Sequence, residues 1–152
     1  ALGLGMKVIA ADMFIPKVDV KVEFFDGQSI TTTILSQSLE SLFKEADFIS
    51  LHVPAQDGYI VDEATLSIMK DGVGIVNCAR GGVIDEVALI KALDSGKVSF
   101  AGLDVFESEP KPEMTILMHP KISLTPHIGA ATGEAQDRIG TELASQIISI
   151  LS

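Results

Sequence analysis

The sequence has 152 residues, 47% of them hydrophobic, with a mean hydropathy of +0.37. That suits one domain with a filled core, and no apolar run nears the roughly 18 residues of a membrane span. Acidic residues outnumber basic ones 21 to 11, a net charge of −10, which argues against nucleic acid or an anionic membrane as partner.

"MKVIAAD" (6–12) reads as a strand ending in an acid. "VKVEFFDGQSITTTIL" (20–35) reads as two alternating strands around Asp26-Gly27, a hairpin signal with no evident function. "SLESLFKEA" (38–46) is a short helix capped by Ser38, with Glu40 four residues before Lys44. "DFISLHVP" (47–54) is a strand stopped by Pro54, and "DEATLSIMKDG" (62–72) a helix capped by Asp62 and closed by Gly72. "VGIVN" (73–77) is the next strand, and 85–97 a helix with an acidic start and Gly96 at its end. Residues 98–105 and 122–126 are further strands. The last helix, 132–152, carries Ala135, Ile139, Leu143 and Ile147 in one apolar row.

Strands alternating with helices, and apolar throughout, predict an α/β fold with a parallel sheet covered on both faces. In such a sheet Asp12, Pro54, Cys78-Ala79-Arg80, Asp104 and His127 all fall at the carboxyl rim, where open α/β sheets bind ligands. Arg80 can grip a carboxylate with two parallel bonds, and Gly81-Gly82 let the chain turn and a ligand approach.

Each of these residues also has a duller reading. Arg80 could flank a helix at the surface, His127 could be a core or helix-entry histidine, and Asp12 a turn aspartate. Asp104 could simply serve a backbone amide. Cys78, the only cysteine, reads as a small packed residue and excludes a disulfide framework or Cys-rich metal site. His52 reads as structural or cofactor-lining and His119 as a surface residue; the three histidines lack metal-ligand spacing. No basic stretch leads into an apolar one near Ala1, so the cytoplasm is the expected compartment.

"NCARGGVIDE" (77–86), "GLDVFESEP" (102–110) and "LTPHIGAAT" (124–132), in that order, resemble the D-isomer-specific 2-hydroxyacid dehydrogenases, most of all the D-3-phosphoglycerate dehydrogenase branch. "LHVPAQDGYIVDEATLSIMKDG" (51–72) has the family's form as well. The resemblance implies a Rossmann-type doubly wound sheet, NAD as cofactor, a small 2-hydroxy or 2-keto acid as substrate, a homodimer or higher homo-oligomer, and a place in serine biosynthesis. It implies catalytic roles for Arg80 (substrate carboxylate), Glu109 (orienting the histidine) and His127 (acid/base). Only the family pattern selects Glu109 over Glu107 and Glu113. It implies cofactor contacts at Asp12 (adenosine ribose), Val53, Pro54, Cys78, Ala79, Arg80, Asp104 (nicotinamide amide), His127, Gly129 and Ala130, and no metal.

The family's first strand and G-x-G-x-x-G phosphate loop have no counterpart here; "GLG" (3–5) reads as a helix end. Residues 1–152 are therefore expected to be a partial NAD-binding domain without its substrate domain, inactive alone. A non-catalytic, NAD-binding, redox-sensing dimer module like the corepressor branch of the same fold is the alternative.

Overall fold

The structure, a computed structural model, describes residues 1–129 and 131–151. It opens with a 3-10 turn, Leu2–Leu4, closed by Gly5 in the left-handed region at φ 77°, so "GLG" is a helix end as read. Residues 6–11 do not form the expected strand. Their only ladder contact among the described residues is one parallel bridge, Ala10 to Ser36, and a segment without a continuous neighbour has no ladder to join.

β1 (Lys17–Glu23) and β2 (Ser29–Leu35) make the predicted antiparallel hairpin, paired from Lys17↔Leu35 to Glu23↔Ser29. α1 (Leu39–Glu45) starts as expected, with Ser38 Oγ accepting from the Ser41 N–H, and carries the Glu40–Lys44 pair. After β3 (Phe48–Leu51) comes α2 (Glu63–Ile68), where Asp62 and Thr65 satisfy each other's backbone N–H in a reciprocal cap. α2 ends at Met69, one turn earlier than read. Gly72, at φ 79°, instead turns the chain into β4 (Val73–Asn77). α3 (Glu86–Ser95) has the predicted acidic start and Gly96 beyond its end, and Asp85 is its cap. β5 (Val98–Leu103), the short α4 (Met114–Leu117), β6 (Ile122–Leu124) and α5 (Gly133–Leu151) complete the chain.

β3, β4, β5 and β6 form one parallel sheet in that order. Each crossover steps the same way, and right-handed crossovers then place the connecting helices on one face. The core lies there: Ile49, Leu51, Ile75 and Leu103 of the sheet against Leu66, Leu89 and Leu93 of the helices. Burying side chains such as Leu89 and Leu93 contributes roughly 1.5–3 kcal/mol each.

Coverage of both faces does not hold among the described residues. β3 alternates exposed and buried, and Phe48 (59% exposed) and Phe100 (41%) stand on the open side. Their rings, 6.1 Å apart, lean over Gly74, where a Cβ would come within 2.6 Å of Phe100. The apolar row of α5 is likewise uncovered, since Ile139, Leu143 and Ile147 are each about half exposed. No described helix is long and apolar enough to cross a membrane.

Candidate active site

The register puts Leu51, Asn77, Leu103 and Leu124 level with one another at the carboxyl ends of four parallel strands. The residues just past the strand ends therefore share one rim: His52-Val53-Pro54, Cys78-Ala79-Arg80, Asp104, and Thr125-Pro126-His127. The predicted rim is present.

β4 ends on Asn77, its one polar side chain and only 3% exposed. Oδ1 accepts from the Ala79 N–H (3.0 Å) and Nδ2 donates to the Arg80 carbonyl (3.0 Å). One side chain thus ties both ends of the short turn carrying Arg80. A lone polar residue closing an apolar run was the available signal, and the sequence reading passed over it. Arg80 is exposed, and among the described residues its guanidinium makes one bond, from Nη1 to the Ala79 carbonyl, which leaves donors over for an anion. Gly81 has no room for a side chain: a Cβ there would lie 1.9 Å from the Phe106 carbonyl oxygen. Cys78 is exposed, not packed as read, because the strand's alternation turns it away from buried Asn77 and Ala79.

Asp104, at the end of β5, is 3% exposed, and both of its oxygens are engaged. Oδ1 accepts from Thr125 Oγ1 (2.6 Å) and the Ile128 N–H (2.8 Å), and Oδ2 from the Gly129 N–H (2.9 Å). Burial opposes ionisation, but these three bonds outweigh it and hold the carboxyl below the usual carboxylate range. The duller reading of Asp104 is thus realised: it anchors the turn that bears His127. That turn needs an anchor, since His127 sits at φ 56°, the one non-glycine residue in the left-handed region among those described. Such a backbone costs roughly 1–3 kcal/mol and persists only where surrounding bonds impose it.

His127 Nδ1 lies 2.8 Å from Glu109 Oε2. Glu109 Oε1 accepts from the Phe106 N–H at 2.9 Å, so the carboxylate is held at both oxygens. The bond with His127, followed by that from Phe106, pulls the Glu109 carboxyl below its ordinary range. The bond assigns a proton to Nδ1 and leaves Nε2 as the ring's working nitrogen. Glu107 and Glu113 make no such contact with His127, so the geometry separates three glutamates that composition could not. An apolar depression of about 450 Å³ flanks the pair, lined by Phe106, Leu117, Leu124 and Pro126 among others; Arg80 does not line it.

Asp12 lies apart, beside Ser36. Its Oδ1 takes the N–H groups of Phe14 (2.7 Å) and Ile15 (2.9 Å), which hold the carboxyl below its usual range. It is therefore fixed as a turn aspartate, but exposed and with Oδ2 available for sugar hydroxyls. With Asp12 ionised and exposed, and His52, Pro54, Cys78 and Arg80 open to solvent, the residues present suit an adenine dinucleotide. Ala130 lies outside the described residues. His119, read as a surface residue, has a side chain only 9% exposed and lies 3.4 Å from Asp94.

The family model described as D-isomer specific 2-hydroxyacid dehydrogenase, NAD binding domain, matches residues 1–129. A hydroxypyruvate reductase of Thermotoga maritima is 47% identical over 156 residues, covering 99% of this chain and 47% of that protein. A D-3-phosphoglycerate dehydrogenase of Methanocaldococcus jannaschii is 42% identical over 153 residues, covering 99% and 28%. The crystal structure of an Aquifex aeolicus D-lactate dehydrogenase complexed with NAD and lactic acid superposes with a TM-score of 0.71 at 33% identity, covering 99% of this chain and 47% of that one. The chain thus spans less than half the length of each of these relatives.

Proposed function

The chain belongs to the D-isomer-specific 2-hydroxyacid dehydrogenases, matched along their NAD-binding domain, and from that membership we propose that it serves an NAD-dependent reduction of a small 2-keto acid to the D-2-hydroxy acid and the reverse oxidation. The observation that carries this reading is the 2.8 Å contact between His127 Nδ1 and Glu109 Oε2 at the carboxyl rim, where Arg80 also follows its strand.

Asp12, residues 52–54, Cys78, Ala79, Gly129 and Ala130 would hold NAD, which would supply or accept the hydride. Arg80 holds the substrate carboxylate with the guanidinium donors its bond to Ala79 leaves over. His127 Nε2 gives a proton to the keto oxygen in reduction and takes it back in oxidation. Glu109 fixes the ring's orientation through its bond to Nδ1. Asp104 keeps the histidine's turn in its unusual conformation.

Hydroxypyruvate and 3-phosphohydroxypyruvate are the substrates favoured here, on the names of the two relatives above. The second would put the protein in serine biosynthesis. A cytoplasmic homodimer with residues 1–152 as its NAD-binding part completes the reading; the lone, exposed thiol of Cys78 suits a reducing compartment. The test is NADH consumption by the full-length protein against hydroxypyruvate, 3-phosphohydroxypyruvate, glyoxylate and pyruvate. Turnover of at least one supports the proposal. NADH binding without turnover of any would favour the non-catalytic, redox-sensing module.

A further inference from the structure

Glu86, the first residue of α3, is only 8% exposed, although it is a carboxylate. Its Oε1 accepts from the Glu107 N–H at 2.8 Å, while Glu107 Oε1 accepts from the Glu86 N–H at 2.8 Å. Two residues far apart in sequence thus bind each other reciprocally. Glu107 Oε2 also takes the Tyr59 hydroxyl at 3.3 Å. Neither carboxylate forms an ion pair among the described residues. Burial pushes the Glu86 carboxyl up, and the charges of Glu107 and Glu113 add to that, against the lowering bond from the Glu107 N–H. Two adjacent anions without a cation are a poor source of stability. What they do secure is one peptide unit.

That unit, Phe106-Glu107, is where the parts of the candidate site meet. The Phe106 N–H, on the peptide just before it, holds the Glu109 carboxylate that contacts His127. The Phe106 carbonyl is pressed by Gly81, the residue after Arg80, so closely that a Cβ would lie 1.9 Å away. The Glu107 N–H is bound by Glu86, and the Glu107 side chain satisfies the first free N–H of α3. Moving this peptide moves Glu109 and releases the wall behind the Arg80 turn.

We propose that Glu86 and Glu107 are positioning residues whose reciprocal bonds fix the Phe106-Glu107 peptide, and through it set both Glu109 against His127 and the Arg80 turn in register. The proposal rests on the function assigned above.

The experiment uses the full-length protein and five variants: Glu107→Ala, Glu107→Gln, Glu86→Gln, Glu109→Ala and the double Glu107→Ala/Glu109→Ala. Keto-acid kcat and KM, NADH affinity and melting temperature are measured for each. Glutamine keeps an acceptor oxygen, so Glu107→Gln and Glu86→Gln are expected within a few-fold of wild-type turnover. Glu107→Ala is expected to lower kcat about tenfold or more with NADH affinity unchanged, since misplaced groups lose rate before they lose cofactor. The part of the Glu107→Ala loss that acts through Glu109 is absent from the double variant, so its loss relative to wild type is smaller than the product of the two single losses. Should Glu107→Ala not fold, Glu107→Asp, which is charged but too short to reach, takes its place. Wild-type kcat in Glu107→Ala, or losses that multiply in the double variant, would overturn the proposal alone. Wild-type kcat in Glu109→Ala would overturn it together with the reading it rests on.

Discussion

Adding a single methyl at Gly81 is the most direct probe of how tightly the site is assembled. In Gly81→Ala the new Cβ would stand 1.9 Å from the Phe106 carbonyl oxygen and 2.6 Å from its carbon. Gly81 has no positive φ, so alanine meets no backbone penalty, and the clash is the whole perturbation. Ordinary contact begins near 3.4 Å, so the two backbones must part by about 1.5 Å in a close-packed region. Phe106 is buried and its N–H holds Glu109. The 80–82 turn on the other side carries Arg80, itself tied to Asn77. Whichever side yields, a functional side chain moves by more than the roughly 1 Å that costs ~10²-fold in rate. We expect kcat/KM for keto-acid reduction by the full-length protein to fall by that order. Overpacking costs ~1–3 kcal/mol, which should lower the melting temperature by ~2–12 °C. Gly82→Ala is the control: Gly82 has φ 75° and open space around it, so strain of ~1–2 kcal/mol should appear in stability with a much smaller loss of rate. A Gly81→Ala variant with wild-type kcat/KM would show that the Phe106 wall does not set the Arg80 turn.

Two other side chains lend themselves to the same treatment. Asp104→Asn turns one acceptor into an amide NH₂ facing a buried donor, so it should cost ~1–3 kcal/mol and slow turnover by releasing the His127 turn. Because the Asp104 carboxyl is held below its unfolded value despite burial, its stabilisation is fully present above about pH 4 and lost as pH falls through the folded value. Thermal scans should therefore show a flatter acid limb for Asp104→Asn than for wild type; equal limbs would remove Asp104 from this role. Asp12, an exposed anion whose neighbours Met13 and Phe14 offer no cation, should repel a 2′-phosphate, so kcat/KM should favour NADH over NADPH. Asp12→Ala should narrow that ratio, and equal use of both cofactors by wild type would contradict the ribose assignment.

What the sequence revealed, and what it hid, divides by the range of the interactions. Local chemistry was readable: the Ser38 and Asp62 caps, the acidic start and Gly96 terminator of α3 and the Asp26-Gly27 hairpin each rest on a few adjacent residues. The rim was readable because a parallel sheet sends every strand's end to one edge. Burial was less so. An apolar strand looks the same whether one face is covered or two, so the open side carrying Phe48 and Phe100 could not be foreseen. Residues 6–11 are apolar enough for a strand but find only one bridging partner. Gly72 looked like a helix end because a glycine before a strand and a glycine after a helix read alike. Within the site, Glu109 needed the family pattern, since "ESEPKPE" is an acidic loop in any local reading. The Glu86–Glu107 pair joins residues that no local pattern connects, and Asn77 was hidden by the more conspicuous Arg80 beside it.

The central claim is that His127, oriented by Glu109, moves the proton that accompanies hydride transfer. It is tested most directly by comparing wild type and His127→Ala in the full-length protein, following loss of reduced-nicotinamide absorbance with the best keto acid and NADH affinity by titration. Removing a positioned acid typically costs ~10² to 10⁴ in rate, so kcat should fall within that range while NADH affinity stays close to wild type. Near-normal turnover in His127→Ala would assign the proton to another group and contradict the account.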